Sequence, residues 1–352
     1  MTTNCDVLII GGGIAGSCLA WALWERGVDF VLVDDRPAVS CSRIAAGLVT
    51  PITGPRLAVA WRWDEFWPAA QGFYARVADR ANHPLLHARR MVRLFGSDDE
   101  VRLFHERRLI DAAHLVAPLD PPLAAPLLNP VLGGFEMPAA GQLDVPALLD
   151  ATWSHFTATG ATRVARIDPA SFTLTTTGIG VPALDLVARR VLFAEGYPLT
   201  SNPWFPEFPF RPAQGDILTL RIPDLAETRV IHGPVWLAPV GNGLFRCGST
   251  YEWTRLDRQP SAEARASIIQ RLAGMLAPET AIEVVAHHAA IRPALRRFHP
   301  VIARSPRCGE ILSLNGLGSK GSLQAPFLAT HLADHLVDDS PLDRSLVWPI
   351  PT

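Results

Sequence analysis

The apolar run Asp6-Val-Leu-Ile-Ile10 leads directly into Gly11-Gly-Gly-Ile-Ala-Gly16, and this junction constrains the fold more than any other part of the chain. A short continuous apolar run suits a strand buried in a parallel sheet. Residues Ile14 to Arg26 then read as a helix closed by Gly27, a residue type that ends helices in the left-handed conformation. Phe30-Val-Leu-Val33 is a second buried strand, ending on Asp34, 18 positions after Gly16. Strand, glycine turn, helix, strand and terminal acid are the opening of a dinucleotide-binding unit. In such a unit Gly11 permits the tight turn, Gly13 the approach of backbone to a pyrophosphate, and Gly16 close helix–strand packing. Ile14, Ala15 and Gly16 lie at the helix N-terminus, where unpaired N–H groups and the positive dipole end favour an anion. Asp34, with Asp35 as the fallback, is placed to accept hydrogen bonds from a ribose. This turn alone does not separate NAD from FAD.

Length and composition bound the rest. The chain has 352 residues, 48% hydrophobic and 19% charged, enough for two lobes with a substantial core. Its net charge is −2, which argues against a general nucleic-acid binder, a class that carries a basic face. Five scattered cysteines (Cys5, Cys18, Cys41, Cys247 and Cys308) form no CxxC pair, so no metal site or disulfide framework is indicated. A reducing, cytoplasmic setting is expected. The run Val7–Ile10 is too short for a membrane span or signal peptide. Lys320 is the only lysine in the chain.

Residues 61–115 read as mostly helical, Pro118 to Pro130 as a loop, and about 145–159 as a helix. Short β-like runs follow at 162–176 and 184–194, the latter ending in a glycine turn at Gly196. The proline- and aromatic-rich stretch 197–212 reads as a crossing between lobes. Alternating segments at 215–222, 229–238, 244–250 and 284–290 predict an antiparallel sheet, interrupted by a helix at about 261–276. A strand at Ile311–Leu314, a glycine loop and a helix from about Ser322 to Val337 close the chain.

That last loop, Gly316-Leu-Gly-Ser-Lys-Gly-Ser322, repeats the GxGxxG pattern after a strand. With no room after its helix for a second acid-bearing strand, it is not a second dinucleotide unit. A glycine-rich loop at a helix N-terminus still makes an anion-stabilising site. Reduced flavin needs one, because its N1–C2=O region carries negative charge. Gly316, Leu317, Gly318, Ser319, Lys320, Gly321 and Ser322 are therefore expected beside a flavin ring.

Taken together and in order, further segments resemble the glycine oxidase / D-amino-acid oxidase family of FAD-dependent amine oxidoreductases. They are SRIAAGL at 42–48, GQLDVPALL at 141–149, VLFAEG at 191–196, QGD at 214–216, CGSTYE at 247–252, IRP at 291–293 and NGLGSKGSLQAP at 315–326. The loop at 317–323 also resembles the flavin domain of a bifunctional tRNA wobble-uridine modifying enzyme of the same family. The resemblance implies an α/β fold: a discontinuous Rossmann-type FAD-binding lobe (1–60, 141–200 and 291–352) with an inserted substrate lobe (61–140 and 201–290) carrying an antiparallel sheet. It implies non-covalent FAD, lined by Ser42, Arg43, Ala46, Gly47 and Leu48 on the flavin side and by Ala194, Glu195 and Gly196 beside the adenosine half. Arg292 matches the position that holds a substrate carboxylate, and guanidinium can clamp a carboxylate through two parallel hydrogen bonds. Tyr251 is a weaker candidate for the substrate side, with a core position the alternative.

The sequence also departs from the family. Glu195 replaces a small residue, and Arg296-Arg-Phe-His-Pro300 puts His299 where an Asp is common. Cys308 falls too late to match the cysteine that bonds flavin in some relatives. The expected reaction is oxidation of a C–N bond in a small amine or amino acid by hydride transfer to flavin N5, with oxygen or another acceptor reoxidising the cofactor. The alternatives are a flavin-dependent tRNA-modifying oxidoreductase, an NAD-linked dehydrogenase and a non-catalytic flavin-binding protein. A basic face built from Arg89, Arg90 and Arg93 near the pocket mouth would favour the tRNA reading.

Overall fold

Two large sheets organise the computed structural model, which describes residues 3–54, 56–107, 113–128, 131–296 and 299–348. The first sheet is built on β1 (Thr3–Ile10), flanked in parallel by β2 (Phe30–Asp34) and β14 (Leu186–Phe193). Beyond β2 lies β11 (Thr162–Val164), also parallel. On the other side β21 (Ile311–Asn315) continues the parallel run, then β20 (Val301–Arg304) reverses it and β22 (Val347–Trp348) closes the edge. A small antiparallel flap, β12 (Thr173–Leu174) and β13 (Ile179–Val181), pairs with the start of β14.

Helices α1 (Ile14–Trp24), α3 (Trp63–Ala81), α5 (Val145–Ala158) and α7 (Gly321–Asp338) cover one face of this sheet. Phe172, Trp204 and Phe205 cover the other. Parallel strands buried on both faces read as unbroken apolar runs, which is why β1 and β2 were legible without alternation.

The second sheet has the order β19 (Glu283–Arg292), β15 (Ala213–Arg221), β18 (Leu244–Gly248), β17 (Trp236–Gly241), β16 (Val230–His232), β7 (Met91–Leu94), β9 (Gly134–Met137) and β8 (Ala117–Pro118). It is antiparallel except between β16 and β7. Helix α6 (Ala262–Ala273) packs Ile268 and Leu272 onto Leu218 and Leu220 of β15. Helix α4 (Asp98–Arg107) follows β7 in the chain. Between the large sheets sit β3 (Leu48–Val49), β10 (Gly141–Leu143) and β6 (Leu86–Ala88), the pair β4 (Ile52–Thr53) and β5 (Ala58–Val59), and the single-turn helix α2 (Cys41–Ile44). No helix among the described residues is long and apolar enough to cross a membrane.

Residues 61–115 are mostly helical, in α3 and α4, with the short strands β6 and β7 between them; residues 108–112 lie outside the described residues, as does Pro130 of the expected loop. Strands of three or four residues carry too few positions for a period to show. Helix α3, expected in the substrate lobe, buries Ala70, Phe73, Tyr74 and Val77 among the helices of the first sheet. After α7 the chain adds the two-residue strand β22, which carries no acid, pairs with β20 and founds no second dinucleotide unit.

Candidate active site

A cavity of about 1750 Å³ lies where the two sheets meet, larger than the usual 300–1,000 Å³ of a single small-molecule pocket. Its first wall is the glycine turn. Gly11 has φ +106°, and a Cβ there would stand 2.6 Å from the Ala194 carbonyl oxygen, so only glycine fits between β1 and β14. Gly16 does not line the cavity; a Cβ on it would overlap the Gly11 carbonyl, so its task is close packing of α1. Gly13 caps α1 with no side-chain bond, leaving that helix end to face the cavity through Gly13, Ile14 and Ala15. The Ile14 N–H donates to Ser42 Oγ at 3.1 Å.

Asp34 lines the cavity as expected but is already engaged. Its Oδ2 accepts from Gly12 N and its Oδ1 from Arg36 N, both at 2.6 Å. A carboxylate has about four lone-pair sites, so acceptor capacity remains for a ribose. Asp35 is exposed at the rim. Arg36, which the sequence reading missed, joins Arg43 on a single acid, Asp150, at 3.2 and 2.8 Å. Two guanidinium groups on one carboxylate leave positive charge near the pyrophosphate turn.

The segment 42–48 passes along the cavity because Gly47 allows it. Gly47 has φ +71°, and a Cβ would overlap the Leu143 carbonyl oxygen. Leu143 N donates to Gly47 O at 2.9 Å, and Gln142 Nε2 to Ala46 O at 3.3 Å. Arg43, Ala46, Gly47 and Leu48 all face the cavity. Opposite, Ala194, Glu195 and Gly196 line it. Glu195 accepts one bond from Asn202 Nδ2 at 3.2 Å, and burial pushes its carboxyl up to about 7.

The second glycine loop meets the first. A Cβ on Gly321 would stand 3.1 Å from Ile14 Cγ2, so the N-termini of α1 and α7 open on one space. Asn315 sets the loop, donating to Gly196 O at 2.9 Å and accepting from Gly316 N at 2.7 Å. Gly316 itself packs against Leu295 and does not line the cavity, whereas residues 317–322 do. Lys320 points to Thr53 Oγ1 at 3.1 Å, and burial lowers its pKa.

On the second sheet Arg292 faces the cavity from the end of β19. Its Nη2 donates to Ser249 Oγ at 2.8 Å and its Nη1 to Thr250 O at 3.2 Å. Its guanidinium lies 4.3 Å from the Tyr251 ring centre. No acid pairs with it among the described residues. Tyr251 is a rim residue rather than core, 53% exposed. The cavity also takes in Trp236, His232, Arg93 and His288; only Arg93 was named from sequence, for a different role. His299 stacks on Trp61 at 4.0 Å and does not line the cavity; Arg297 and Phe298 beside it lie outside the described residues. Cys308 does not line it either.

The basic face that would favour the tRNA reading is not assembled from Arg89, Arg90 and Arg93. Arg90 pairs with the buried Glu136, Arg93 with Glu100 at 2.7 Å, and Arg89 donates to Thr228 O at 3.0 Å. No group of His, Cys, Asp or Glu among the described residues could hold a metal ion. Two helix N-termini, two glycine positions that a Cβ would block, and surplus arginine charge fit an elongated cofactor with a pyrophosphate at its centre.

Comparison with known proteins agrees. The glycine oxidase of Pseudomonas putida is 26% identical over 362 residues, covering 96% of both chains. The "tRNA 5-methylaminomethyl-2-thiouridine biosynthesis bifunctional protein MnmC" of Caulobacter vibrioides is 28% identical over 353 residues, covering 96% of this chain and 56% of that protein. The chain thus spans about half the length of the bifunctional relatives it matches. Among solved structures, glycine oxidase from Geobacillus kaustophilus superposes with a TM-score of 0.81 at 18% identity, covering 97% of this chain and 96% of that one. Iminodiacetate oxidase from Chelativorans sp. gives 0.81 at 20%, covering 96% of each. The family model described as FAD dependent oxidoreductase (DAO) matches residues 6–335, and the chain belongs to that family as an FAD-dependent oxidoreductase.

Proposed function

We propose that this enzyme oxidises the C–N bond of a small amino acid whose carboxylate is held by Arg292. The observation that carries the reading is the guanidinium of Arg292, directed into the cavity and lacking an acid partner among the described residues. A buried or half-buried charge without a partner is costly, and a bidentate carboxylate supplies one. When bound, FAD supplies the two-electron acceptor for this oxidation, and oxygen or another acceptor then restores it. Gly11, Gly13, Ile14 and Ala15 would face its pyrophosphate, Asp34 its ribose, and the 42–48 and 317–322 segments its ring. Lys320, held by Thr53, would place positive charge beside that ring. The FAD-binding lobe would comprise 1–60, α3, 141–200 and 291–352, and the substrate lobe the rest of 61–140 with 201–290, in a cytoplasmic protein.

The test is anaerobic mixing of holoenzyme with glycine, N-methylglycine, D-alanine and neutral amines, following loss of the flavin absorbance. Amino acids should bleach the flavin, and Arg292→Ala should raise their KM by about two orders of magnitude, from a lost charge pair of ~3 kcal/mol. An unchanged KM rejects the carboxylate role. A second reading, action on a modified uridine of tRNA, is favoured by the similarity to the bifunctional relatives. Bleaching by undermodified tRNA but by no free amino acid would establish it instead.

A further inference from the structure

The second sheet presents one continuous row of paired residues to the cavity. Arg93 pairs with His232, His232 with Trp236, Trp236 with Gly248, Gly248 with Ile217, and Ile217 with His288. Directly paired residues project from the same face of a sheet, and every second residue along a strand joins them. His288 therefore shares its face with Arg292, four positions further along β19. Except for Gly248, every member of this row lines the cavity. The Trp236 ring lies over Gly248, where a Cβ would meet it at 2.9 Å.

The row has two polar ends and an aromatic middle. Arg292 marks one end. At the other, Arg93 gives one bond to Glu100, whose second oxygen is held by Gly96 N at 2.9 Å. The buried Arg93 Nε and His232 Nε2 have no hydrogen-bond partner among the described residues. An arginine has five donors, and a buried polar atom without a partner costs free energy that a ligand can recover. His232 is held neutral at physiological pH by burial and the nearby Arg93 charge, its pKa lowered to about 4. Five strand spacings separate β19 from β7, roughly 24 Å between backbones across the sheet. A simple amino acid held at Arg292 does not reach Arg93.

We propose that Arg93 and His232 form a second substrate-binding end, which takes an oxygen acceptor (a carboxylate or amide carbonyl) at the far end of an N-substituted amino acid. The amino-acid end stays on Arg292, so the proposal rests on the reading given above. The tail runs along the Trp236 ring between the two. Because Glu100 balances Arg93, this end selects by hydrogen bonding more than by net charge.

The test uses thioethers, in which sulfur replaces the reactive nitrogen so that nothing is oxidised. Holoenzyme is titrated with (methylthio)acetate, with (carboxymethylthio)alkanoic acids of increasing length, with their terminal amides, and with alkylthioacetates of matching length. Dissociation constants are read from the shift of the flavin absorbance bands. At the optimal length an oxygen-bearing tail should bind at least tenfold more tightly than the alkyl tail. In Arg93→Gln and in His232→Phe that ratio should fall to within twofold. His232→Phe keeps the Arg93–Glu100 pair and carries the test if Arg93→Gln does not fold. Acid and amide tails binding alike identify a carbonyl end, and a preference for the acid identifies a carboxylate end. Equal binding of oxygen-bearing and alkyl tails, or a ratio unchanged in both variants, overturns the proposal while leaving Arg292 intact. Failure of (methylthio)acetate itself to bind overturns the reading of Arg292 and this one with it.

Discussion

Gly215 explains how Arg292 comes to face the cavity. Its strand neighbours Gln214 and Asp216 point to the opposite face, and a Cβ on Gly215 would overlap the guanidinium of Arg292. The missing side chain is the space the arginine occupies. Gly215→Ala should displace the guanidinium and raise the KM of carboxylate substrates by roughly ten- to a hundredfold, the scale expected of a misplaced binding group. Neutral amines should be affected far less. Steady-state kinetics on both substrate classes checks this, and an equal loss for both would assign Gly215 a purely structural role. Glu195 makes a prediction of a different kind. Burial raises its folded pKa from 4.5 to about 7. The native state then binds more protons than the unfolded state between those values, so this group lowers stability as pH rises through that window. Below about 4.5 both states are protonated and the penalty is absent. Glu195→Gln keeps an acceptor for Asn202 and should stabilise the protein at pH 8 by roughly 1–3 kcal/mol, with no gain at pH 4. Denaturant unfolding at the two pH values measures it. Of the residues that matter here, Gly11, Gly47 and Arg292 could be read from the sequence because local motifs surround them. Trp236 and His232 could not, since only the strand register of the second sheet brings them to the cavity.

At the scale of elements, β15 is the piece that joins the substrate side together. One of its faces makes room for Arg292, and the other ties down the segment 249–261, which carries Tyr251. The buried Gln214 side chain accepts from Arg258 N at 2.7 Å and donates to Gln259 O at 3.1 Å and Asp257 Oδ1 at 3.3 Å. Asp216 accepts from Ser261 N at 3.2 Å and contacts His287 Nε2 at 2.8 Å. Gln214→Ala removes three of these bonds and should cost roughly 1–3 kcal/mol. Its clearest sign should be faster amide exchange at Arg258 and Gln259, with FAD content retained. Exchange rates equal to those of the natural protein would show that the segment is held by other contacts. Element boundaries were legible where a cap marks them. Asp144 Oδ1 accepts from Ala147 N at the start of α5, and Ser261 Oγ from Ala264 N at the start of α6, both at 3.0 Å. Such caps occupy a preferred residue type at a fixed position, so sequence reports them. The strands β7, β20 and β22 have no such mark. Each is two to four residues long and extended because a neighbouring strand pairs with it.

At the scale of the molecule, the cavity is where the two sheets become one structure. Arg246 on β18 donates to the Ala45 carbonyl beside α2. Gly318 N reaches Pro293 O at 3.4 Å, joining the C-terminal loop to the strand that carries Arg292. Walls of the cavity come from the end of β1, the Ala194–Gly196 turn after β14, the 42–48 segment, β15, β19 and the start of α7. A ligand filling that space therefore binds only when both sheets are folded and joined. Ligands that bind the native state alone stabilise it by mass action, by about 2.7 kcal/mol at a hundredfold excess over Kd. Apoprotein should accordingly melt several degrees below the FAD-loaded enzyme, and the loaded enzyme should melt in one transition rather than lobe by lobe. Thermal unfolding followed by tryptophan fluorescence tests both parts. Trp21 is buried beneath the first sheet's helices, and Trp236 lies on the second sheet in the cavity, so replacing each in turn by Phe separates the signals of the two lobes. If the two signals shift together with added FAD, the cofactor couples the lobes. If only the Trp21 signal shifts, the cofactor is held by the first lobe alone, and the second sheet contributes to substrate without contributing to FAD.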